Sequence, residues 1–273
     1  YALGMNLIMK NQPAAAQPIL KEGSELIGKH LGNSHGYYLA SLAMLATAYE
    51  KAGDIGTAEQ LYRQVMATDG RIPARYRIFR AQAQASLGYL LVNKGSYPEA
   101  EIVLRQSEAI YRDVYGGDAN YSVGAVKASL ALLHFLQGDY AKAEEEGTQA
   151  LGPLRTFLGD EHSTTVNAMA TLGLTLTRAG KALQGEPYLR TALAIRQKLL
   201  SPGDAAVAQT TSALGECLTW QQRYVEAEPL LLDSYHELKT KLGDQHKRTL
   251  DARQRLAKLY DDWKKPEQAA QFR

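Results

Sequence analysis

The chain has 273 residues, 45% of them apolar and 22% charged, a balance that fits a folded protein and excludes a disordered one. Lysine and arginine number 31 against 29 acidic residues, so the formal net charge of +2 gives no electrostatic basis for binding nucleic acid or an anionic membrane. A single cysteine, Cys217, excludes an internal disulfide. The longest apolar run, Leu130 to Leu136, is far shorter than a membrane span and is interrupted by His134, so no membrane insertion of this segment is predicted. Tyr1 falls within the first predicted helix, and the segment reads as part of a longer chain.

In chain order, a leucine followed by a small residue recurs at Leu3-Gly4, Leu45-Ala46, Leu87-Gly88, Leu130-Ala131, Leu172-Gly173, Leu214-Gly215 and Leu256-Ala257, in steps of 42 or 43 residues. Thirteen residues after each leucine sits another small residue: Ala16, Ala58, Ala100, Ala143, Gly185, Ala227 and Ala269. A period in this range predicts stacked supersecondary units. Within one unit, Leu42, Leu45, Ala46 and Tyr49 form a helical stripe, Gly53-Asp54 breaks it, and Ala58, Leu61, Tyr62 and Val65 form a second stripe. The break recurs at Gly95-Ser96, Gly138-Asp139, Gly180-Lys181, Gln222-Arg223 and Lys264-Lys265. Each unit is therefore a pair of amphipathic helices that approach closely at their small residues. No pair can bury its apolar face alone. The expected organisation is one solenoid over 1–273: a partial repeat at 1–32, then repeats at about 33–74, 75–117, 118–159, 160–201, 202–243 and 244–273.

Leu45-Ala46, Tyr49, Gly53, Ala58, Tyr62 and Val65 resemble the signature of the tetratricopeptide repeat. The 42-residue period resembles the longer, kinesin-light-chain type of unit. So does the linker phrase, which stands as Leu31-Gly32-Asn33-Ser34-His35, Leu158-Gly159-Asp160-Glu161-His162 and Leu242-Gly243-Asp244-Gln245-His246. The resemblance implies an all-α, right-handed superhelical solenoid of antiparallel helix pairs that binds protein or peptide on its concave face. Residues 242–273, with Arg255-Leu256-Ala257, Leu259-Tyr260, Trp263 and Ala269-Ala270, are similar to the closing repeat of bacterial serine/threonine protein kinases. That similarity implies the sensor or docking region of a larger signalling protein, periplasmic if it follows a membrane helix and cytoplasmic otherwise.

Reactive chemistry finds little support. His35, His162 and His246 share one repeat position, a repeat-width apart, too far to share a metal; they read as helix-start residues. His134 reads as a packed histidine, His30 and His236 as surface, and Cys217 as a buried thiol. Glu59, Glu101, Glu144, Glu186 and Glu228 recur beside the small residue and read as first-turn helix charges. Phosphate-loop, zinc-helix, nucleophile-elbow and kinase motifs are absent from the sequence. The expectation is a non-catalytic module without cofactor or metal.

The family's inward positions carry over to the first helix of each unit. They place Tyr89, Val92, Asn93, Leu132, Phe135, Leu136, Asn167, Leu174, Arg178, Gln209, Glu216 and Trp220 on the concave face. The apolar members of this set predict a trough for an apolar or amphipathic peptide, with Asn93, Asn167, Gln209 and Arg178 holding its polar groups. The residues just before the key leucines are Ala43-Met44, Ala85-Ser86, Ala128-Ser129 and Ala170-Thr171, so the asparagine that clamps peptide backbone in kinesin-light-chain-type repeats is missing. Two other readings of the same features are a homo-oligomer formed through the truncated first repeat and a small-molecule sensor using the trough.

Overall fold

The computed structural model describes residues 2–67 and 76–273, and among these the regular structure is helical, with fourteen α-helices and no strand. Tyr1 and the expected boundary between residues 74 and 75 lie outside the described residues. The helices pack as two compact units, 1–133 and 134–273, where the sequence reading expects one array.

The first unit holds α1 (Ala2–Met9), α2 (Pro13–Leu31), α3 (Gly36–Lys51), α4 (Ile55–Ala67), α5 (Arg77–Lys94) and α6 (Tyr97–Tyr115). The helix α7 (Tyr121–Gln137) straddles the division. Each glycine of the Leu-small pairs lies under a leucine of the partner helix. A side chain added at Gly4 would collide with Leu20, and one at Gly88 would stand 2.5 Å from Leu104. Tyr62 is buried, and its hydroxyl donates to Glu50 at 2.9 Å across the α3–α4 pair. Lys127 and Glu108 form a buried ion pair at 3.1 Å.

The second unit continues with α8 (Tyr140–Leu158), α9 (Ser163–Arg178), α10 (Ala182–Leu199), α11 (Ala205–Trp220), α12 (Tyr224–Leu242), α13 (Lys247–Asp262) and α14 (Pro266–Ala270). Its main core joins Leu189 and Leu193 of α10, Leu214 and Leu218 of α11, Leu231 of α12, and Leu256 and Leu259 of α13. One apolar cluster thus draws on three successive helix pairs, which is the mutual cover the repeat requires. The first helices α9, α11 and α13 also touch in sequence and form one layer. The pairs close tightly: at Gly173 an added Cβ would meet Leu189 Cγ at 2.8 Å and the Gly185 carbonyl oxygen at 2.9 Å.

The recurring break is a left-handed residue. Gly53, Gly95, Gly138 and Gly180 have φ between +80 and +89°, and in the last two units Gln222 and Lys264 take φ 61° at the same position. A side chain there clashes with its own backbone, so these two units carry local strain that glycine avoids.

The helix-start reading of the three histidines has a specific geometry. His35, His162 and His246 are N-caps, each accepting through Nδ1 from the backbone N–H two residues on, at 3.2 Å. Asn120 and Asp204 do the same for α7 and α11, at 2.8 Å. A side-chain acceptor satisfies a backbone donor that the helix leaves unpaired.

The recurring glutamates depart from expectation. Each lies one residue beyond the first turn, and four of the five reach the following helix pair. Glu144 meets Lys181 at 2.7 Å, Glu186 meets Arg223 at 2.9 Å, Glu228 meets Lys265 at 3.9 Å, and in the first unit Glu59 meets Lys94 at 2.6 Å. The cation follows the break in three cases and precedes it in one, so the ladder stitches neighbouring pairs. Such partly exposed pairs are each worth about 0–1 kcal/mol.

Candidate functional site

The inward positions separate by burial. The residue five after the key leucine is buried as Val92, Phe135, Thr177 and Thr219. Thr177 Oγ1 would stand 3.0 Å from a side chain at Gly185, so this position faces the partner helix rather than the open surface. Val92, at 1% exposed, and Phe135, at 8%, are therefore core residues and not part of an accessible trough. The apolar surface expected from the sequence is correspondingly reduced. In the first unit Tyr89 is exposed, Leu132 is half-buried, and Asn93 spends its amide on the Tyr89 carbonyl oxygen at 3.0 Å. In the second unit Leu136 is half-buried, Leu174 is packed on the core, and Trp220 is exposed. Gln209 is exposed, while Asn167 accepts from Arg196 at 2.6 Å at a different pocket.

What the second unit does form is a cleft of about 380 Å³, lined by Tyr140, Arg178, Glu216, Trp220, Asp251, Gln254, Arg255 and Lys258. Successive first helices supply most of it: Arg178 ends α9, Glu216 and Trp220 lie on α11, and Asp251 to Lys258 lie on α13. Glu216 is the keystone. Arg178 donates to its two oxygens from Nε and Nη2, at 2.8 and 3.2 Å, and Arg255 Nε donates to it at 2.5 Å. Arg255 also donates to Ser212 Oγ at 3.0 Å. Burial pushes the Glu216 carboxyl up, but Arg255 and Arg178 together outweigh it and hold the group below the ordinary carboxylate value. The expected ligand contact at Glu216 is thus replaced by an internal strut joining three repeats.

Arg178 lies over the Phe135 ring at 5.0 Å, which fixes one face of the guanidinium and leaves it a third exposed. Lys258 lies 5.5 Å from the Trp220 ring. The site therefore combines an open indole, a phenol and cationic heads around a carboxylate that is already satisfied. Arg255, Lys258 and Tyr140 were absent from the sequence-based set. The first two lie in the closing repeat, and Tyr140 opens a second helix. Carrying the inward positions one unit further, to Asp251, Gln254 and Lys258, would have found the α13 wall.

Reactive groupings do not accompany the cleft. Cys217 is buried, donates to the Ala182 carbonyl oxygen at 3.2 Å, and burial pushes its thiol up. His134 is buried, and His30 and His236 are exposed. Among the described residues no three metal-ligating side chains gather, and no helix is long and apolar enough to cross a membrane.

The helices form an array of stacked antiparallel pairs. Residues 164–235, covering most of α9 to α12, match the family model of the tetratricopeptide repeat. Among curated proteins none matches the sequence. Among solved structures, BtubC (BKLC) from P. vanneervenii aligns at TM-score 0.63 and 20% identity, over 86% of this chain and 92% of that one. A putative kinesin light chain from Podospora anserina aligns at 0.57 and 22%, over 76% and 99%. RapI aligns at 0.70 and 10%, over 100% and 93%, and a Rap protein complexed with competence and sporulation factor aligns at 0.60 and 16%, over 100% and 75%. These likenesses show the fold, a solenoid of stacked helix pairs.

Proposed function

We propose that this chain is a peptide-binding module and that the cleft between α9, α11 and α13 is where the peptide lies. The observation that carries the reading is Trp220, a large aromatic side chain 43% exposed beside ordered arginines, on the layer of first helices. Aromatic and arginine anchors dominate interface energies. A Rap protein of the same fold holds competence and sporulation factor, which supports ligand capture by an array of this kind. The apolar trough of the sequence reading narrows here to a mixed aromatic and cationic cleft.

The similarity of residues 242–273 to bacterial kinase repeats supports placing the module as the docking region of a larger signalling protein. The test is selection of binders from a random peptide library, followed by titration against wild type and Trp220→Ala. The variant is expected to lose about 2 kcal/mol or more, roughly thirtyfold in affinity. Equal affinity for every selected peptide would refute the site.

A further inference from the structure

The repeat provides its own control for unusual residues. Fifteen residues into α6, α8 and α12 lies a core position, filled by Tyr111, Leu154 and Leu238, all 5% exposed or less, and the equivalent Ile27 of α2 is half-buried. The same position in α10 is Arg196, which is half-buried. Packing does not call for a guanidinium there, because these equivalent sites take an apolar side chain.

Burial is costly for a cation that lacks an anion. Arg196 donates to the Ala206 carbonyl oxygen at 3.1 Å, to Thr210 Oγ1, and to Asn167 Oδ1 at 2.6 Å. All three acceptors are neutral. Thr210 itself stands where the neighbouring first helices place buried alanines, Ala168 and Ala252. Burial and the nearby Arg248 weaken the hold of Arg196 on its proton, and Asp204 only partly opposes them. Asp204 caps α11 through Ala206, and Glu161, the other carboxylate at this place, is paired with Lys198 at 2.5 Å.

Arg196 borders a second cavity of about 280 Å³ whose apolar walls are Val166, Ile195, Leu199 and Leu200. Leu199 and Leu200 are 52% and 37% exposed at its edge. The volume falls just below the range of about 300–1,000 Å³ typical of ligand pockets, room for a small molecule or a terminal residue. The N-termini of α9 and α11 also border it, at Ser163 and Ala206, and favour negative charge there.

We propose that this cavity is a binding site, separate from the Trp220 cleft, for a carboxylate carrying a short apolar tail. The carboxylate pairs with Arg196 and the tail lies on Ile195, Leu199 and Leu200. A free alkanoate and the C-terminal residue of a chain share this chemistry. Calorimetric titration with octanoate and with N-acetyl-leucine separates them, each against a neutral counterpart, 1-octanol and N-acetyl-leucinamide. At least one acid is expected to bind about tenfold or more tightly than its neutral counterpart. The tighter acid names the source.

Arg196→Leu restores the repeat's own apolar residue and is expected to abolish that preference while keeping the helical circular dichroism. Arg196→Gln removes the charge with less change of shape and serves if the leucine variant does not fold. Equal binding of acid and neutral probes, no binding of either acid, or unchanged acid binding in a folded variant would each overturn the proposal.

Discussion

Replacing Gly173 by alanine sets two known effects against each other at one point. Alanine in a helix interior is favoured over glycine by about 1 kcal/mol. At Gly173 the new methyl would sit 2.8 Å from Leu189 Cγ and 2.9 Å from the Gly185 carbonyl oxygen. Leu189 is fully buried, and a backbone oxygen cannot rotate away. Overpacking of this kind costs about 1–3 kcal/mol, so Gly173→Ala is expected to be net destabilising by about 1 kcal/mol. Gly23 is the internal control: it lies within α2, has no proline beside it, and an added Cβ meets nothing within 4 Å. Gly23→Ala should stabilise by about 0.5–1 kcal/mol, leaving a gap of roughly 2 kcal/mol between the variants. At about 2–4 °C per kcal/mol for a protein of this size, the thermal midpoints should separate by several degrees. Repeat arrays can lose two-state behaviour, so amide exchange in α9 and α10 should accompany far-ultraviolet circular dichroism. If Gly173→Ala is as stable as Gly23→Ala, close helix approach at the Leu-small pair is not what holds the units together.

Three further outcomes follow from named contacts. His162→Ala removes the cap on α9 and should cost about 1 kcal/mol in urea melts, whereas His162→Asp, which copies Asp204, should cost little or nothing. Gln222→Gly relieves a φ of 61° and should raise the midpoint by an amount equivalent to about 0.5–1 kcal/mol; a lower midpoint would show that the break is not strained. The Glu216 carboxyl is held below its ordinary value of 4.5, so its stabilisation is present above that pH and is lost as pH falls through the lower folded value. Glu216→Gln should therefore be less stable at neutral pH by roughly 2 kcal/mol, moderated by the exposure of Arg178, and should show a shallower loss below about pH 4.5. Parallel urea titrations of wild type and variant at several pH values check both parts.

The fold was legible because the signal is periodic. Leu87-Gly88 and Leu172-Gly173 mark close helix contacts. The site was legible only in part. Inward positions were carried over as fixed offsets, but the residue five past the key leucine turns toward its partner helix, which buries Val92 and Phe135. Burial at that offset depends on helix rotation within the pair, a quantity that spacing alone does not contain. Glu216 was misread for another reason: a lone glutamate on an inward helix face looks like a ligand contact until Arg178 and Arg255 arrive from repeats on either side. Those partners are 38 and 39 residues away and in different repeats. Arg196 was visible throughout as an arginine at a leucine position, and aligning the second helices on one another would have exposed it.

The most direct test of the functional account is amide exchange of residues 134–273 with and without a library-selected peptide. Binding in the cleft should slow exchange in α9, α11 and α13, most of all around Arg178, Trp220 and Arg255, and leave the outer second helices α10 and α12 nearly unchanged. Protection concentrated on α10 and α12, or none on the first helices at saturating peptide, would contradict it.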